Sequence, residues 1–350
     1  MEMYKKFIFS KTLKISIRKI FYKEKLIIII NLIVILVIFY KINFLYDLLI
    51  LNNKKTKSFN LDYILKYQNK FIVIKHRCKT CGLFTFFNTF LDCINTFINK
   101  GYIPIIDLLS YPNIFNGFNV SSLNKNPWEL FFEQPFGFSL ENVKKKAQNI
   151  TYFDYNYTIC SLYGRKNIFF NKAALDYWHM IALKYIPIKK KIIKESNFIR
   201  KKLFKNCKNI LGILLRGTDY ISLKPKNHPI QPNTEIVIKD VIEAVKKNKY
   251  DYIFITTEDE IILKKFIIRF GSKLKYVKNK NINYNYTQKT LLAYNKNILG
   301  NFDFQKTYLI NIIILSSCVD IISSIAGGAS GAFVLSKGYR YVKLYYLGKN

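Results

Sequence analysis

Three stretches in the second half of the chain place charged or small polar residues directly after an apolar run. The runs are "ILGILL", "YIFITT" and "VDIISS". The polar residues that follow or end them are, in chain order, Arg216, Gly217 and Asp219, then Glu258 and Asp259, then Ser323 and Ser324 with Gly327 and Gly328. If the apolar runs are parallel strands, these residues meet at one edge of a sheet, where open α/β sheets bind ligands.

Each group suits one part of a nucleotide sugar. A planar guanidinium such as that of Arg216 binds two phosphate oxygens at once and stays charged at any working pH. Glycines and serines ahead of a helix offer backbone N–H groups and hydroxyls to a diphosphate. A carboxylate at a strand end accepts hydrogen bonds from a guanine edge or binds a ribose. The alternatives are a structural ion pair between Arg216 and Asp219, and a tight turn at Gly327 and Gly328.

The elements that position these residues alternate between strand and helix. In the second half we predict strands at 210–215, 250–260, 274–277 and 319–324, and helices at 233–249, 261–271 and 307–318. In the first half, strands at 70–77 and 102–109 flank a helix at 81–101. Residues 110–137 are predicted as a loop, and 171–204 as helical with an interruption at Pro187.

This alternation indicates the α/β class, with two Rossmann-like domains. We place the first, acceptor-side domain and its bridging helices at 70–205 and the second, nucleotide-sugar-binding domain at 206–350. A chain of 350 residues is long enough for two such domains.

The N-terminus predicts a membrane anchor. A basic segment at 1–25 precedes an apolar segment at 26–45, and 46–69 forms a polar stem. The positive charge ahead of the apolar run indicates a cytoplasmic N-terminus, so we expect a type II, single-pass membrane protein. In a eukaryote this corresponds to the ER or Golgi, and in a bacterium to the inner membrane. A cleaved signal peptide and an amphipathic membrane-surface helix are the alternatives.

Composition excludes some classes. The net charge of +34 invites a nucleic-acid interpretation, but the lysines are spread along the chain and no nucleic-acid-binding motif is present. We therefore expect no nucleic-acid partner. Cys78 and Cys81 form a lone C-x-x-C pair without a second pair at zinc-finger spacing, so structural thiols or a disulfide are favoured over a metal.

The motifs "ILLRGTDY", "KNHPIQP", "YIFITTEDE" and "ILSSCVDIISSIAGGASGA", in this order, resemble those of the fucosyltransferase superfamily. That superfamily includes α-1,6-fucosyltransferases, NodZ-like enzymes and protein O-fucosyltransferases. The resemblance covers about 70–348. It implies a GT-B-like fold, a GDP-sugar donor with GDP-fucose as the default, and no obligatory metal or cofactor.

The resemblance also implies roles for single residues. Arg216 matches the arginine that holds the donor diphosphate, and Asp219 matches the aspartate that follows it. His228 with Pro229 matches a downstream His-Pro pair. The acidic pair at 258–259 matches a nucleoside-binding pair, and the residues at 323–328 match a phosphate loop.

Two positions depart from the family pattern. Leu214 stands where the family usually has histidine. Lys224 stands where core α-1,6 enzymes have a glutamate that is the candidate catalytic base. Candidates for the base are therefore sought elsewhere, at Asp219 and on the acceptor side. The acceptor-side candidates are Asp107, Trp128, Glu129 and Glu133, of which Trp128 is also expected to be a core or lid residue.

The resulting hypothesis is an inverting glycosyltransferase that moves fucose from a GDP donor to a glycan or protein acceptor. The alternatives are a glycosyltransferase with another nucleotide-sugar donor, and a membrane-anchored pseudoenzyme that binds carbohydrate or nucleotide without catalysis.

Overall fold

The computed structural model describes residues 70–155, 167–277 and 299–350. Within these ranges no helix is both long and apolar enough to cross a membrane. The predicted basic segment, anchor and stem at 1–69 lie outside the described residues.

The described residues form eight strands and eleven α-helices. In chain order they are β1 (Phe71–His76), α1 (Leu83–Asn99), β2 (Ile103–Asp107), α2 (Trp128–Phe131), α3 (Leu140–Lys146), β3 (Ile150–Tyr155), α4 (Asn167–Phe170), α5 (Lys172–Tyr185), α6 (Lys190–Phe204), β4 (Ile210–Leu214), α7 (Thr218–Ser222), α8 (Thr234–Asn248), β5 (Tyr252–Thr256), α9 (Glu260–Phe270), β6 (Leu274–Lys275), α10 (Phe302–Ser316), β7 (Asp320–Ser324), α11 (Gly327–Leu335) and β8 (Tyr341–Tyr345). Single 3₁₀ turns lie at Val120–Ser122, Pro135–Gly137 and Gly271–Lys273.

The first sheet is parallel, with strand order β2-β1-β3. Ile74 at its centre is in register with Ile106 on one side and Phe153 on the other. The connection from β1 to β2 is helix α1, as the sequence predicted, because parallel neighbours need a long crossover. Helix α3 and strand β3 were not predicted, since "ITYFDY" lies at a sheet edge and its burial is only partial.

The second sheet is also parallel, with strand order β6-β5-β4-β7-β8. From the central strand β4 the chain continues to one side through β5 and β6, and then to the other side through β7 and β8. This is the order of a doubly wound sheet, whose direction reverses between β4 and β7. The carboxyl ends of these two strands therefore flank the crevice where such sheets bind ligands.

Both sheets share one compact unit, Gln68–Asn350. Strand β4 is buried along its whole length, as expected for a parallel strand covered on both faces. Close contacts need residues without side chains: a Cβ on Gly212 would lie 2.6 Å from Leu315 Cδ1, and one on Gly331 would lie 2.1 Å from Phe84. The second contact brings α1 of the first half against α11 of the second. The predicted boundary at 205–206 falls between α6 and β4.

The C-x-x-C pair is a disulfide between Cys78 and Cys81, in the turn between β1 and α1. His76, at the end of β1, accepts a hydrogen bond at Nδ1 from the Cys78 backbone N–H, 3.0 Å away. The other ring nitrogen, Nε2, is buried and has no hydrogen-bond partner within 70–155, 167–277 and 299–350. The sulfur pair and this imidazole thus form one buried corner of the first half.

Asp320, the first residue of β7, organises the end of the second sheet that lies opposite the ligand crevice. Its carboxylate is fully buried and accepts hydrogen bonds from Arg340 Nε at 3.1 Å, Arg340 Nη2 at 2.6 Å and the Tyr341 N–H at 2.9 Å. The Tyr250 hydroxyl donates a further bond. These contacts tie β7 to β8 and to the start of β5.

We predict that Asp320→Ala lowers the free energy of unfolding by about 3 kcal/mol, because several bonds to a buried charge are lost together. Urea denaturation measures this. Asp303→Ala is the control. Asp303 is largely exposed, and its Oδ1 lies 3.4 Å from Lys306 Nζ in a solvent-accessible ion pair. The control is expected to change little. Equal stability of the two variants would contradict the prediction.

A second prediction concerns pH. Burial lowers the pKa of His76 to about 4 from an ordinary 6.5. Because the unfolded chain takes up the proton first, stability from this group is complete above pH 6.5 and is lost as pH falls toward 4, by about 3 kcal/mol in total. His76→Asn keeps an acceptor for Cys78 but does not titrate. We expect urea midpoints of the wild type to fall more steeply than those of the variant between pH 7 and pH 4; parallel curves would refute this.

Candidate functional site

The turn after β4 brings four predicted residues together. Arg216 Nη2 lies 3.3 Å from Asp219 Oδ1, and Arg216 Nε lies 3.3 Å from Glu258 Oε1. The Nε contact lacks hydrogen-bond geometry, so it is an ion pair only. The guanidinium also faces the ring of Tyr220, 4.5 Å from the ring centre. The predicted ion pair with Asp219 is therefore present, and Glu258 adds a second carboxylate.

The carboxylates of the next strand end shape this turn. Glu258 Oε1 accepts a hydrogen bond from the Gly217 N–H at 2.9 Å. Asp259 Oδ2 accepts one from the Thr218 N–H at 2.8 Å, and Asp259 Oδ1 caps α9 by accepting from Ile261 and Ile262. Both Asp259 oxygens are thus used by backbone groups. Asp259 therefore caps a helix and holds the turn, and its predicted role in donor binding stays a prediction.

The turn has a restricted backbone. A Cβ on Gly217 would lie 2.3 Å from Asp259 Oδ2, so this position accepts no side chain while Asp259 is in place. Thr218 has φ +41°, a left-handed conformation that is costly for a β-branched residue. Its hydroxyl lies 3.1 Å from Asp219 Oδ1. The turn is therefore held in a strained shape by its neighbours, as is common at functional sites.

Burial and charge set the protonation of the cluster. Burial alone would lower the pKa of Arg216, but Glu258, Tyr220 and Asp219 outweigh it and the pKa is raised. Burial raises the pKa of Glu258, and Arg216 and the Gly217 N–H offset part of that rise. Arg216 consequently remains a cation, and Glu258 holds its proton more readily than an exposed glutamate.

The end of β7 faces the same crevice. Ser323 and Ser324 are fully buried. The Ser323 hydroxyl donates to the Ser324 carbonyl at 2.7 Å, whereas Ser324 Oγ has no hydrogen-bond partner among the residues that the structure describes. Helix α11 begins directly afterwards at Gly327 and has no side-chain cap at its N-terminus. The strand end thus presents uncapped backbone N–H groups and a buried free hydroxyl.

Tyr308, on α10, was not predicted from the sequence. Its hydroxyl lies 2.3 Å from where a Cβ on Gly328 would be, and its ring packs edge-to-face on Phe84 at 5.6 Å. A side chain at position 328 would therefore collide with the tyrosine hydroxyl. No local pattern signals this residue, because it belongs to an apolar helix and only the tertiary fold brings it to the strand ends.

His228 lies at the margin of this cluster. Its side chain is exposed, and its ring packs edge-to-face on Tyr220 at 5.2 Å. The loop around it pairs with the last residues of the chain: Ile230 N–H donates to the Gly348 carbonyl at 3.1 Å, and Asn350 N–H donates to the His228 carbonyl at 3.0 Å. His228 therefore reaches Arg216 only through Tyr220.

The acceptor-side candidates make their own contacts in the first half. Asp107 accepts hydrogen bonds from the Leu109 and Ser110 N–H groups, and Glu129 accepts from the Leu140 N–H and from Gln134. Trp128 is fully buried in the aromatic core. Trp128 is thus a core residue, one of the two places predicted for it. The acceptor-side roles of Asp107, Glu129 and Trp128 stay predictions.

Glu133 is the remaining acceptor-side candidate. It pairs with Lys189 at 2.5 Å, and its side chain is 45% exposed. At the two positions that depart from the family pattern, Leu214 is buried in the sheet and Lys224 is exposed. An exposed Lys224 lacks the burial that lets a lysine act as a base.

Metal ligation was also assessed from side-chain grouping. Within 70–155, 167–277 and 299–350, no group of three or more histidine, cysteine, aspartate or glutamate side chains could hold a metal ion.

Comparison with known proteins gives matches among solved structures only. No family model matches the sequence, and no curated protein matches it. The fucosyltransferase NodZ from Bradyrhizobium is 12% identical, with 77% of this chain and 93% of that chain covered and a TM-score of 0.45. POFUT1 in complex with GDP is 8% identical, with 80% and 99% covered and a TM-score of 0.44.

A variant of Arabidopsis thaliana FUT1 in complex with GDP is 10% identical, with 78% of this chain and 70% of that chain covered and a TM-score of 0.42. Of the three, NodZ is described as a fucosyltransferase, and the other two are described as complexes with GDP. At this level of identity and superposition the likeness carries no argument about substrate or residue roles, which rest on the side chains of this chain.

The fit between Gly217 and Asp259 gives a testable prediction. We expect Gly217→Ala to lower the free energy of unfolding by about 1–3 kcal/mol, because the new methyl group overlaps the Asp259 carboxylate. Gly82→Ala is the matched control: Gly82 has an ordinary φ of −78° and nothing within 4 Å of an added Cβ. Urea denaturation of both variants measures the difference. A smaller loss for Gly217→Ala than for the control would show that the turn yields freely.

Proposed function

We propose that this chain is a glycosyltransferase that moves a sugar, fucose, from a GDP donor to a glycan or protein acceptor. One observation carries the proposal: the Arg216 guanidinium and the uncapped, glycine-rich N-terminus of α11 lie at the carboxyl ends of β4 and β7, where the sheet reverses direction. This is where a doubly wound sheet binds nucleotides. A GT-B-like pairing of the two sheets is part of the same proposal.

The diphosphate would lie between the guanidinium and the helix. A guanidinium has five N–H donors, and two of those of Arg216 face carboxylates, which leaves three for phosphate oxygens. The N-terminus of α11 supplies partial positive charge and free N–H groups, and Ser324 supplies a hydroxyl. Glu258 is suited to the ribose or the guanine edge, because it lies at the neighbouring strand end.

In the proposed reaction the acceptor oxygen attacks the anomeric carbon of the sugar. The bond from that carbon to the phosphate oxygen breaks, and its electron pair leaves with GDP. Negative charge on the diphosphate grows along this path, so Arg216 and the helix N-terminus stabilise the transition state more than the bound substrate. The acceptor proton passes to a base. Of the carboxylates considered, we retain Glu133, whose side chain is 45% exposed.

Two other functions remain to be separated from this one. A nucleotide-sugar donor with another nucleobase would use the same diphosphate contacts. A binding protein without catalysis is favoured by the ion pairs of Arg216 with two carboxylates, which satisfy the guanidinium without any ligand.

We also propose that the chain works without a resident metal, attached to a membrane by its N-terminal segment. The Cys78–Cys81 disulfide supports an oxidising compartment for the described part.

Substitution of Arg216 tests the proposal. We predict that GDP raises the melting temperature of the wild type more than UDP or ADP does, and that Arg216→Ala weakens GDP binding by at least about 30-fold because charge-assisted hydrogen bonds are lost. Arg216→Lys keeps the charge but not the planar fork, and should lie between the two. Transfer from GDP-fucose should be abolished in Arg216→Ala.

The control is Arg269→Ala, since Arg269 is an exposed arginine in the last turn of α9. It should bind GDP as the wild type does. Preference for UDP or ADP would reassign the donor, nucleotide binding without transfer to any acceptor would favour the binding protein, and turnover by Arg216→Ala would overturn the role of Arg216.

A further inference from the structure

The Tyr308 hydroxyl has a position that the fold itself does not account for. It stands above Gly328, the second residue of α11. If Gly328 carried a Cβ, that atom would lie 2.3 Å from the hydroxyl oxygen. It makes no hydrogen bond with any residue in the described part of the chain, although Tyr308 is only partly exposed. A tyrosine hydroxyl that packing holds in place and that spends no bond on the protein is available to a ligand.

The ring is fixed from several sides. Phe84 of α1 packs edge-to-face against it, and the same Gly328 position is bounded by Ile312 and Leu214, each 3.2 Å from the imagined Cβ. The hydroxyl is thus fixed between the end of β4 and the start of α11. Any group that bridges Arg216 and the α11 N-terminus has to pass beside it.

Electrostatics make this hydroxyl a donor. Burial raises the pKa of Tyr308, and the negative charge of Glu258 raises it further while Arg216 lowers it. The phenol therefore keeps its proton at any physiological pH. A neutral O–H next to Arg216 suits an anion that lacks donors of its own, such as a phosphate.

We propose that Tyr308 is a ligand-binding residue whose hydroxyl donates a hydrogen bond to a phosphate oxygen of the nucleoside diphosphate that Arg216 holds. This rests on the proposed function, because it presupposes a diphosphate in the crevice. The hydroxyl adds a further donor to the guanidinium, the backbone N–H groups and the Ser324 hydroxyl, and it selects a diphosphate that reaches the start of α11.

The competing explanation is that the phenol merely fills space above Gly328. A phenyl ring fills the same space, so Tyr308→Phe separates the two. Calorimetry with GDP gives the dissociation constants of the full chain for the wild type, Tyr308→Phe and the matched control Tyr341→Phe, which removes an exposed phenol on β8. Urea midpoints are measured for all three without nucleotide.

We expect Tyr308→Phe to bind GDP about tenfold or more weakly, with Tyr341→Phe equal to the wild type. The urea midpoint of Tyr308→Phe should stay the same or rise, because no bond within the protein is lost. The dissociation constant of inorganic pyrophosphate, which has no nucleobase or ribose, should rise by about tenfold in this variant too.

Three results overturn the inference while leaving the proposed function intact. They are GDP affinity within twofold of the wild type, an unchanged dissociation constant for pyrophosphate, and a clearly lowered urea midpoint, which would reveal a structural partner for the hydroxyl. A wild type that unfolds normally in urea but does not bind GDP would contradict the proposed GDP-sugar donor. The proposed role of Tyr308, which depends on that donor, would then be wrong as well.

Discussion

Backbone hydrogen bonds to two neighbouring carboxylates determine the shape of the turn on which the site depends. Glu258 and Asp259 leave β5 and accept the N–H groups of Gly217 and Thr218, which have just left β4. Without them a threonine in a left-handed conformation would relax, and the adjacent guanidinium would lose its direction. The orientation of Arg216 is therefore set mainly by another strand and only partly by its own.

Strand order makes this meeting possible. Because β5 and β7 flank β4 on opposite sides, the turn after β4 has the acidic residues of β5 on one side and the start of α11 on the other. Positive charge, carboxylates and free N–H groups are thus distributed in order along one edge. A long, polar ligand with chemically different ends fits such an edge better than a compact one.

Much of this was accessible from the sequence. Buried apolar runs alternating with helices predicted parallel strands, and the meeting of Arg216 with Glu258 follows from their places at adjacent strand ends. The capping role of Asp259 was not predicted, although an aspartate just before "EIILKKF" is a helix N-cap signal. The resemblance places Asp259 with Glu258 in a nucleoside-binding pair and says nothing about the cap.

Other features depend on contacts that no local pattern reports. Tyr308 lies in an apolar helix, and its hydroxyl meets Gly328 only once α10 and α11 have packed. Trp128 and Glu129 lie in a proline-bounded segment predicted as a loop, in which Trp128 was expected to be a core or lid residue; aromatic packing places Trp128 in the core. Burial of a loop depends on what the rest of the chain places over it, and this information is distributed over distant residues.

The tight contact between Gly217 and Asp259 has a consequence for how such a site diverges over time. A side chain cannot enter position 217 unless the residue at 259 becomes smaller, and a smaller residue there gives up both the helix cap and the bond to Thr218. The first of two such changes is costly whichever comes first. Descendants of this sequence should therefore keep the pair together or replace it together, and sequences that differ at only one of the two positions should be rare.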